Sequence, residues 1–254
     1  MGEPVLLLRL EGPLQSWGGR SRWDVRDTQP EPSKSGVIGL LACALGYGRG
    51  DVRIEALDRA LRFGVRVEAP GRVLEDYQTV TGYLPTADGR YKHSGVAVAS
   101  SLTKLNESTE ATASTIISPR FYLEDAAFLV ALTARNSQNA ALLEQAANAL
   151  RAPRWPLFLG RKACVPTRPI FDAFTSGYEG LEHALRRHPW SWRTSEALPD
   201  TRNKADQPAT ELLAFIEDDQ GPLRRQDALR VNTVRTYGFV HLRSLRVPRS
   251  EVTL

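Results

Sequence analysis

Hydrophobic positions in the first fifty residues change character once, from a continuous run to a helical stripe. Residues 5–10 (Val-Leu-Leu-Leu-Arg-Leu) form an apolar run of strand length, closed by Gly12-Pro13. A long loop leads through Pro32, after which Val37, Leu40, Leu41, Ala44 and Leu45 recur at the spacing of one buried helix face. Ser33 or Ser35 can cap that helix, and Gly46 stands where a left-handed glycine would end it. Ile54, Leu57, Ala60 and Leu61 predict a short second helix; Phe63, Val65 and Val67 alternate as a strand, and residues 73–81 read as extended beyond the Pro70-Gly71 turn. Periodicity then fails over residues 82–118, a stretch of glycine, proline, serine and threonine too long for an ordinary loop, which points to a binding loop or hairpin arm. Its candidate legs are residues 96–98 and 115–117.

Order returns at residues 120–123 and in the near-continuous apolar run 127–132, the pattern of a central strand. Asn136 or Ser137 can cap a helix whose stripe is Leu142, Leu143, Ala146, Ala149 and Leu150, and Pro153 stops it. Residues 155–159 read as a short strand before the basic glycine turn Gly160-Arg161-Lys162. Beyond Pro166 six prolines cut the chain into short pieces, with a helix at 181–187, strands at 212–216 and 237–247, and a looser linker near 194–210. The expected fold class is α+β. The order β-α-β-β-α-β over residues 1–165 predicts a ferredoxin-like domain of the kind RNA-recognition modules use, with residues 82–118 inserted as a thumb-like arm. Residues 166–254 are expected to form a smaller, antiparallel β-rich domain.

Composition narrows the function classes. With 42% hydrophobic and 24% charged residues the chain reads as globular and soluble, and no apolar run is long enough to span a membrane. Glu3 directly ahead of the first strand argues against a secretory signal, and Cys43 and Cys164 alone make no disulfide framework, so a reducing, cytoplasmic setting is expected. The four histidines (93, 183, 188, 241) lack metal-ligand spacing; neither metal nor cofactor is expected. A net charge of +4 suggests an anionic partner, and residues 224–249 hold seven arginines against one acid, Asp227. Arg20, Arg22, Arg26 and Lys34 put positive charge beside the free N–H groups of the first helix, a place for phosphate. Trp17, Trp23, Tyr122 and Trp155 lie close to basic residues, as RNA-stacking aromatics do; core packing competes with that reading and is favoured for Trp155.

Catalytic motifs are sparse. Pro32-Ser33-Lys34-Ser35 lacks the upstream glycines of a nucleotide-hydrolysing phosphate loop, and Ser101-Leu102-Thr103-Lys104 has no companion motif. Tyr91-Lys92-His93 places acid/base groups beside a cation, the residue types that metal-free RNA cleavage requires, and stands as the alternative, a metal-independent endoribonuclease.

Four blocks, in order, carry a family resemblance: Leu8-Arg9-Leu10 with Gly12-Pro13-Leu14-Gln15-Ser16-Trp17-Gly18; Ser33-Lys34-Ser35-Gly36-Val37-Ile38-Gly39-Leu40-Leu41; Tyr122-Leu123-Glu124-Asp125-Ala126-Ala127-Phe128; and Leu157-Phe158-Leu159-Gly160-Arg161-Lys162-Ala163-Cys164. Together they resemble the CasD family, the subunit of the type I-E CRISPR Cascade complex that binds the 5′ handle of crRNA. The resemblance implies a non-catalytic, cofactor-free RNA-binding subunit that caps the handle end of the complex. It also implies contacts with the backbone subunit CasC and the large subunit CasA, and engagement of target DNA only through the assembly, without a membrane. By position it places Ser33, Lys34, Ser35, Arg120, Arg161 and Lys162 at the RNA, with Tyr122 beside Arg120. Arg20 and Arg22 are added on charge alone.

Overall fold

A computed structural model describes residues 2–19, 25–81, 83–85, 91–93, 96–99, 115–190, 211–230, 236–249 and 252. The first apolar run becomes strand β1 (Val5–Glu11), and its two sides explain why it is apolar throughout. Leu6, Leu8 and Leu10 enter one core, whereas Val5 and Leu7 enter a second core on the opposite face. Its neighbour β9 (Ala127–Ala134) is likewise buried at every position. A strand covered on both faces has no solvent side to mark with polar residues.

Seven strands form one sheet in the order β10 (Phe171–Thr175), β1, β9, β3 (Leu61–Ala69), β11 (Glu211–Glu217), β13 (Thr236–Pro248) and β12 (Leu223–Arg230), every neighbour antiparallel. One face carries α1 (Lys34–Leu45), α2 (Val52–Ala60) and α3 (Ala140–Arg151); the other carries α4 (Leu181–Arg187), whose Leu181, Ala184 and Leu185 fill the second core. The protein is a mixed α/β molecule with antiparallel sheets. Ser33 Oγ accepts from Gly36 N at 3.1 Å, and Gly46 takes φ +76°, so α1 starts and stops where its sequence provides cap and glycine.

Three expectations need correcting. The division at 165/166 falls inside the large sheet: Thr175 pairs with Val5 on β1, and Phe215 pairs with Val65 on β3. Pro169, Pro189 and Pro222 lie between strands, while the strands themselves satisfy the backbone groups at both sides of the β1–β9–β3 unit. The arm's legs are also different. β4 (Arg72–Thr81) and β8 (Thr115–Glu124) pair along their whole length, from Arg72 opposite Glu124 to Thr81 opposite Thr115, and β2 (Leu14–Gln15) joins β8. Between them β5 (Tyr83–Pro85), β6 (Tyr91–His93) and β7 (Val96–Ala99) make a separate three-stranded sheet, so residues 96–98 pair with β6 and not with 115–117. Third, residues 155–159 form no strand; Pro153 and Pro156 remove ladder donors there. No helix among the described residues is long and apolar enough to cross a membrane.

A buried ion network ties the helix layer to β11 and β12. Lys34 Nζ lies 3.0 Å from Glu217 Oε2 and 3.9 Å from Asp58 Oδ1, Arg135 also bonds Glu217, and Arg230 stands 3.9 Å from Asp58 Oδ2. Burial pushes the Asp58 carboxyl up to about 6, opposed by Lys34 and Arg230 and reinforced by Glu217 and Asp227. Since this exceeds the ordinary 3.8 of the unfolded chain, the folded state binds more protons between the two values. Stability from this group is therefore greatest below about pH 4 and is lost as pH rises through 6, by about 3 kcal/mol in all. Asp58→Asn should remove that loss: the thermal midpoint of the variant relative to wild type rises between pH 4 and pH 7. Parallel midpoint–pH curves would sink the assignment.

Candidate nucleic-acid interface

Three of the four sequence blocks converge on one cleft. Gln15 is buried, donating from Nε2 to Leu10 O (3.0 Å) and Ala126 O (2.7 Å) and accepting from Trp17 Nε1 at 3.1 Å. This fixes the chain that follows β1, so that Ser16 N donates to Leu159 O at 3.0 Å. At that crossing Gly160 has φ +97°, and a Cβ there would sit 1.7 Å from Ser16 O; only glycine fits. Helix α1 closes the third side: a Cβ on Gly36 would come within 3.0 Å of the Trp17 ring.

The resulting cleft measures about 910 Å³. Its walls include Gly18, Gly36, Gly39 and Gly160, its cations are Arg49 and Lys162, and its aromatics are Trp17, Tyr47, Trp155, Phe158 and Tyr237, of which Trp155 and Tyr237 are exposed. Among the described residues that line it, none is acidic. Exposed cations and aromatic faces without competing carboxylates suit a single-stranded polyanion.

The predicted site residues divide sharply. Ser33, Ser35 and Lys162 line the cleft, and Lys162 is exposed. Lys34 is 2% exposed and points into the ion network, away from any phosphate. Nor is the helix N-terminus open: Asp227 accepts from the backbone N–H of Lys34 (2.5 Å) and Ser35 (2.9 Å), taking the place an anion would occupy. Arg161 donates to Phe121 O (3.0 Å), Arg26 O (2.9 Å) and Asp27 O (3.1 Å), and its guanidinium lies 4.7 Å from the ring centroid of Tyr122. It clasps the 26–27 loop to β8 and so positions Lys162 in the cleft. Tyr122 is buried beneath it, so its ring cannot receive a base. Arg120 sits half-buried on β8 outside the cleft lining. Arg20, Arg22 and Trp23 lie outside the described residues, and Tyr91, Lys92 and His93 are described only as the backbone of β6.

Two aromatics exchange roles. Trp17, a candidate stacking residue, is 1% exposed and packs in the core, whereas Trp155, the one favoured for core packing, is 41% exposed in the cleft. Sequence reasoning also missed Tyr47 and Arg49, at the turns that follow α1, and Tyr237 on β13, none of them with a motif around it. The arginine-rich segment 224–249 is largely satisfied within the molecule: Arg225 pairs with Glu31, Arg230 with Asp58, Arg243 with Glu182 and Asp218, and Arg246 with Glu211. Arg224 lies over Phe239 and Arg249 over Trp190, and Arg235 falls outside the described residues.

Comparison with known proteins identifies the family. Residues 5–230 match the family model for CRISPR-associated protein (Cas_Cas5). The CRISPR system Cascade subunit CasD of Escherichia coli (strain K12) is 33% identical over 175 residues, covering 65% of this chain and 69% of that protein. Among solved structures, a Cas protein crystal structure shares 33% identity with a TM-score of 0.64, over 98% of this chain and 97% of that one. A chain of a CRISPR RNA-guided surveillance complex shares 32% identity with a TM-score of 0.65, over 98% and 92% respectively. With a family match reaching from β1 to β12, the chain belongs to the CRISPR-associated Cas5 family.

Proposed function

We propose that this protein is a non-catalytic, RNA-binding subunit of a Cascade surveillance complex, holding the 5′ handle of crRNA in the cleft between α1, the Gly18 loop and the 155–162 turn. The observation that carries the reading is the cleft's chemistry: Arg49 and Lys162 with Tyr47, Trp155 and Tyr237, and no acidic lining residue among those described. In this reading β1–β10 form a ferredoxin-like unit and residues 82–118 its thumb-like arm, with CasC and CasA as protein neighbours in the assembly and target DNA reached through it. Ser33, Ser35 and Lys162 contact the handle inside the cleft. Arg120 flanks it, and Arg20 and Arg22 are added as handle contacts on charge alone. Lys34, Tyr122 and Arg161 support it from within the fold.

The test is a native and denaturing gel pair with 5′-labelled repeat RNA in EDTA. Wild-type protein shifts the RNA without cutting it. Lys162→Glu and Arg49→Glu each weaken binding, and the slope of log affinity against log salt falls by about one for each phosphate no longer neutralised. Unchanged affinity in both variants would remove the RNA from this cleft, and a discrete metal-independent product would move attention to Tyr91, Lys92 and His93.

A further inference from the structure

Resting on that reading, we infer that Trp155 is the stacking platform for one unpaired RNA base and that Gly39, on the α1 wall of the same cleft, is kept free of a side chain so that the nucleotide can lie against the helix.

The backbone around Trp155 is pinned. Arg154 N donates to Ala44 O at 2.8 Å, and Cys43 Sγ donates to Pro156 O at 3.4 Å, which holds both flanks of Trp155 against the C-terminal half of α1. Pro153 and Pro156 restrict the same stretch further. An indole held on a rigid segment yet 41% exposed is doing little for the core. Such an aromatic loses little conformational freedom on receiving a partner. Gly39 lies one helical turn before Cys43, on the same cleft wall. Inside a helix, glycine is less stable than alanine. The usual reasons for it fail here: Gly39 is not among the positive-φ residues, and a Cβ built on it would meet nothing within 4 Å. Gly36 differs, because there the Trp17 ring occupies the space. The room beside Gly39 belongs to the cleft, facing the same space as Trp155, Arg49 and Lys162. Aromatic face, smooth wall and flanking cations together make a slot for a base with its phosphate.

The experiment measures RNA affinity and thermal midpoint for Trp155→Ala, Trp155→Phe, Gly39→Ala and Gly39→Leu, with Lys162→Glu as reference. Trp155→Ala should weaken handle RNA binding by about 5- to 150-fold, the range for losing one stacked base, with Trp155→Phe recovering most of it. Gly39→Ala should raise the midpoint of the free protein without strengthening RNA binding, while Gly39→Leu should weaken binding with the fold intact. A scan of single abasic substitutions along the handle should reveal one position whose removal weakens wild type but not Trp155→Ala, the signature of a direct contact. If Lys162→Glu weakens binding while Trp155→Ala and Gly39→Leu bind as wild type, the slot is overturned and the cleft retained. If Lys162→Glu and Arg49→Glu are also silent, the placement of the RNA in this cleft fails with it.

Discussion

Replacing Lys34 with methionine lowers the midpoint of thermal unfolding by roughly 6–20 °C, and the protein that remains folded binds RNA as before. The side chain is 2% exposed, and its ammonium stands between Glu217 and Asp58. Removing it leaves two buried carboxylates whose remaining cations are Arg135 and Arg230 at 3.9 Å, with Phe63 N donating to Glu217 at 3.1 Å. Breaking a buried pair from one side costs about 3–5 kcal/mol, because the remaining charge is stranded in a poor solvent. In a chain of this size each kcal/mol shifts the midpoint by about 2–4 °C. Methionine keeps the apolar stem, so the loss reports the charge. Adding Glu217→Gln should recover part of it, since the stranded partner is then neutral. Differential scanning calorimetry with RNA titrations decides the matter: an unchanged midpoint with weakened RNA binding would return Lys34 to the RNA surface.

That reversal shows what the sequence could and could not disclose. Local signals were sound wherever the physics is local. Ser33 and Gly46 bound α1 by their own backbone preferences, and β1 reads as a strand and β9 as a central strand because burial on both faces leaves a continuous run. Charge partners are not local. Lys34 looked like a cation at a helix start, and its partner Glu217 lies 183 residues away; the carboxylate that occupies that helix end, Asp227, is 193 residues from it. The arginines of 224–249 likewise found Glu31, Asp58, Glu182 and Glu211 on other elements, so a one-signed segment in sequence became a mixed one in space. Trp17 and Trp155 differ by the same cause: each neighbours basic residues in sequence, and only the packing of α1 against the Gly18 loop and the 154–156 segment puts one inside and one at the cleft. The glycines of the blocks, Gly18, Gly36, Gly39 and Gly160, were visible as a pattern, but their meeting on one cleft requires the fold.

On the face of the sheet away from the cleft, Glu68→Gln should cost at least as much as Lys34→Met, because one carboxylate there serves two cations. Glu68 and Arg66 side chains are fully buried and that of Arg9 is 1% exposed. Arg9 Nη1 reaches both Glu68 oxygens at 2.6 Å, and Arg66 bonds Oε1 while its other arm donates to Leu185 O (2.6 Å) and His188 O (3.0 Å). Burial lowers the pKa of Arg66, and Glu68 is the principal opposing charge. With glutamine in its place, Arg9 keeps Asp172 at 3.2 Å, but Arg66 retains only neutral acceptors, the backbone carbonyls and at most one amide oxygen, a buried cation without a counter-charge. A loss of about 3–5 kcal/mol and a midpoint drop of roughly 6–20 °C should follow. The double variant Arg66→Met with Glu68→Gln should melt above Glu68→Gln alone, since it removes the stranded charge along with its partner. Because Arg66 holds the C-terminal end of α4, amide exchange at 185–190 should accelerate in the single variant more than exchange in α1 does. RNA affinity should be unchanged, for the network and the cleft are on opposite faces of the sheet. A single variant that melts like wild type would mean that the carbonyls of Leu185 and His188 suffice for Arg66, and that the carboxylate on β3 holds Arg9 alone.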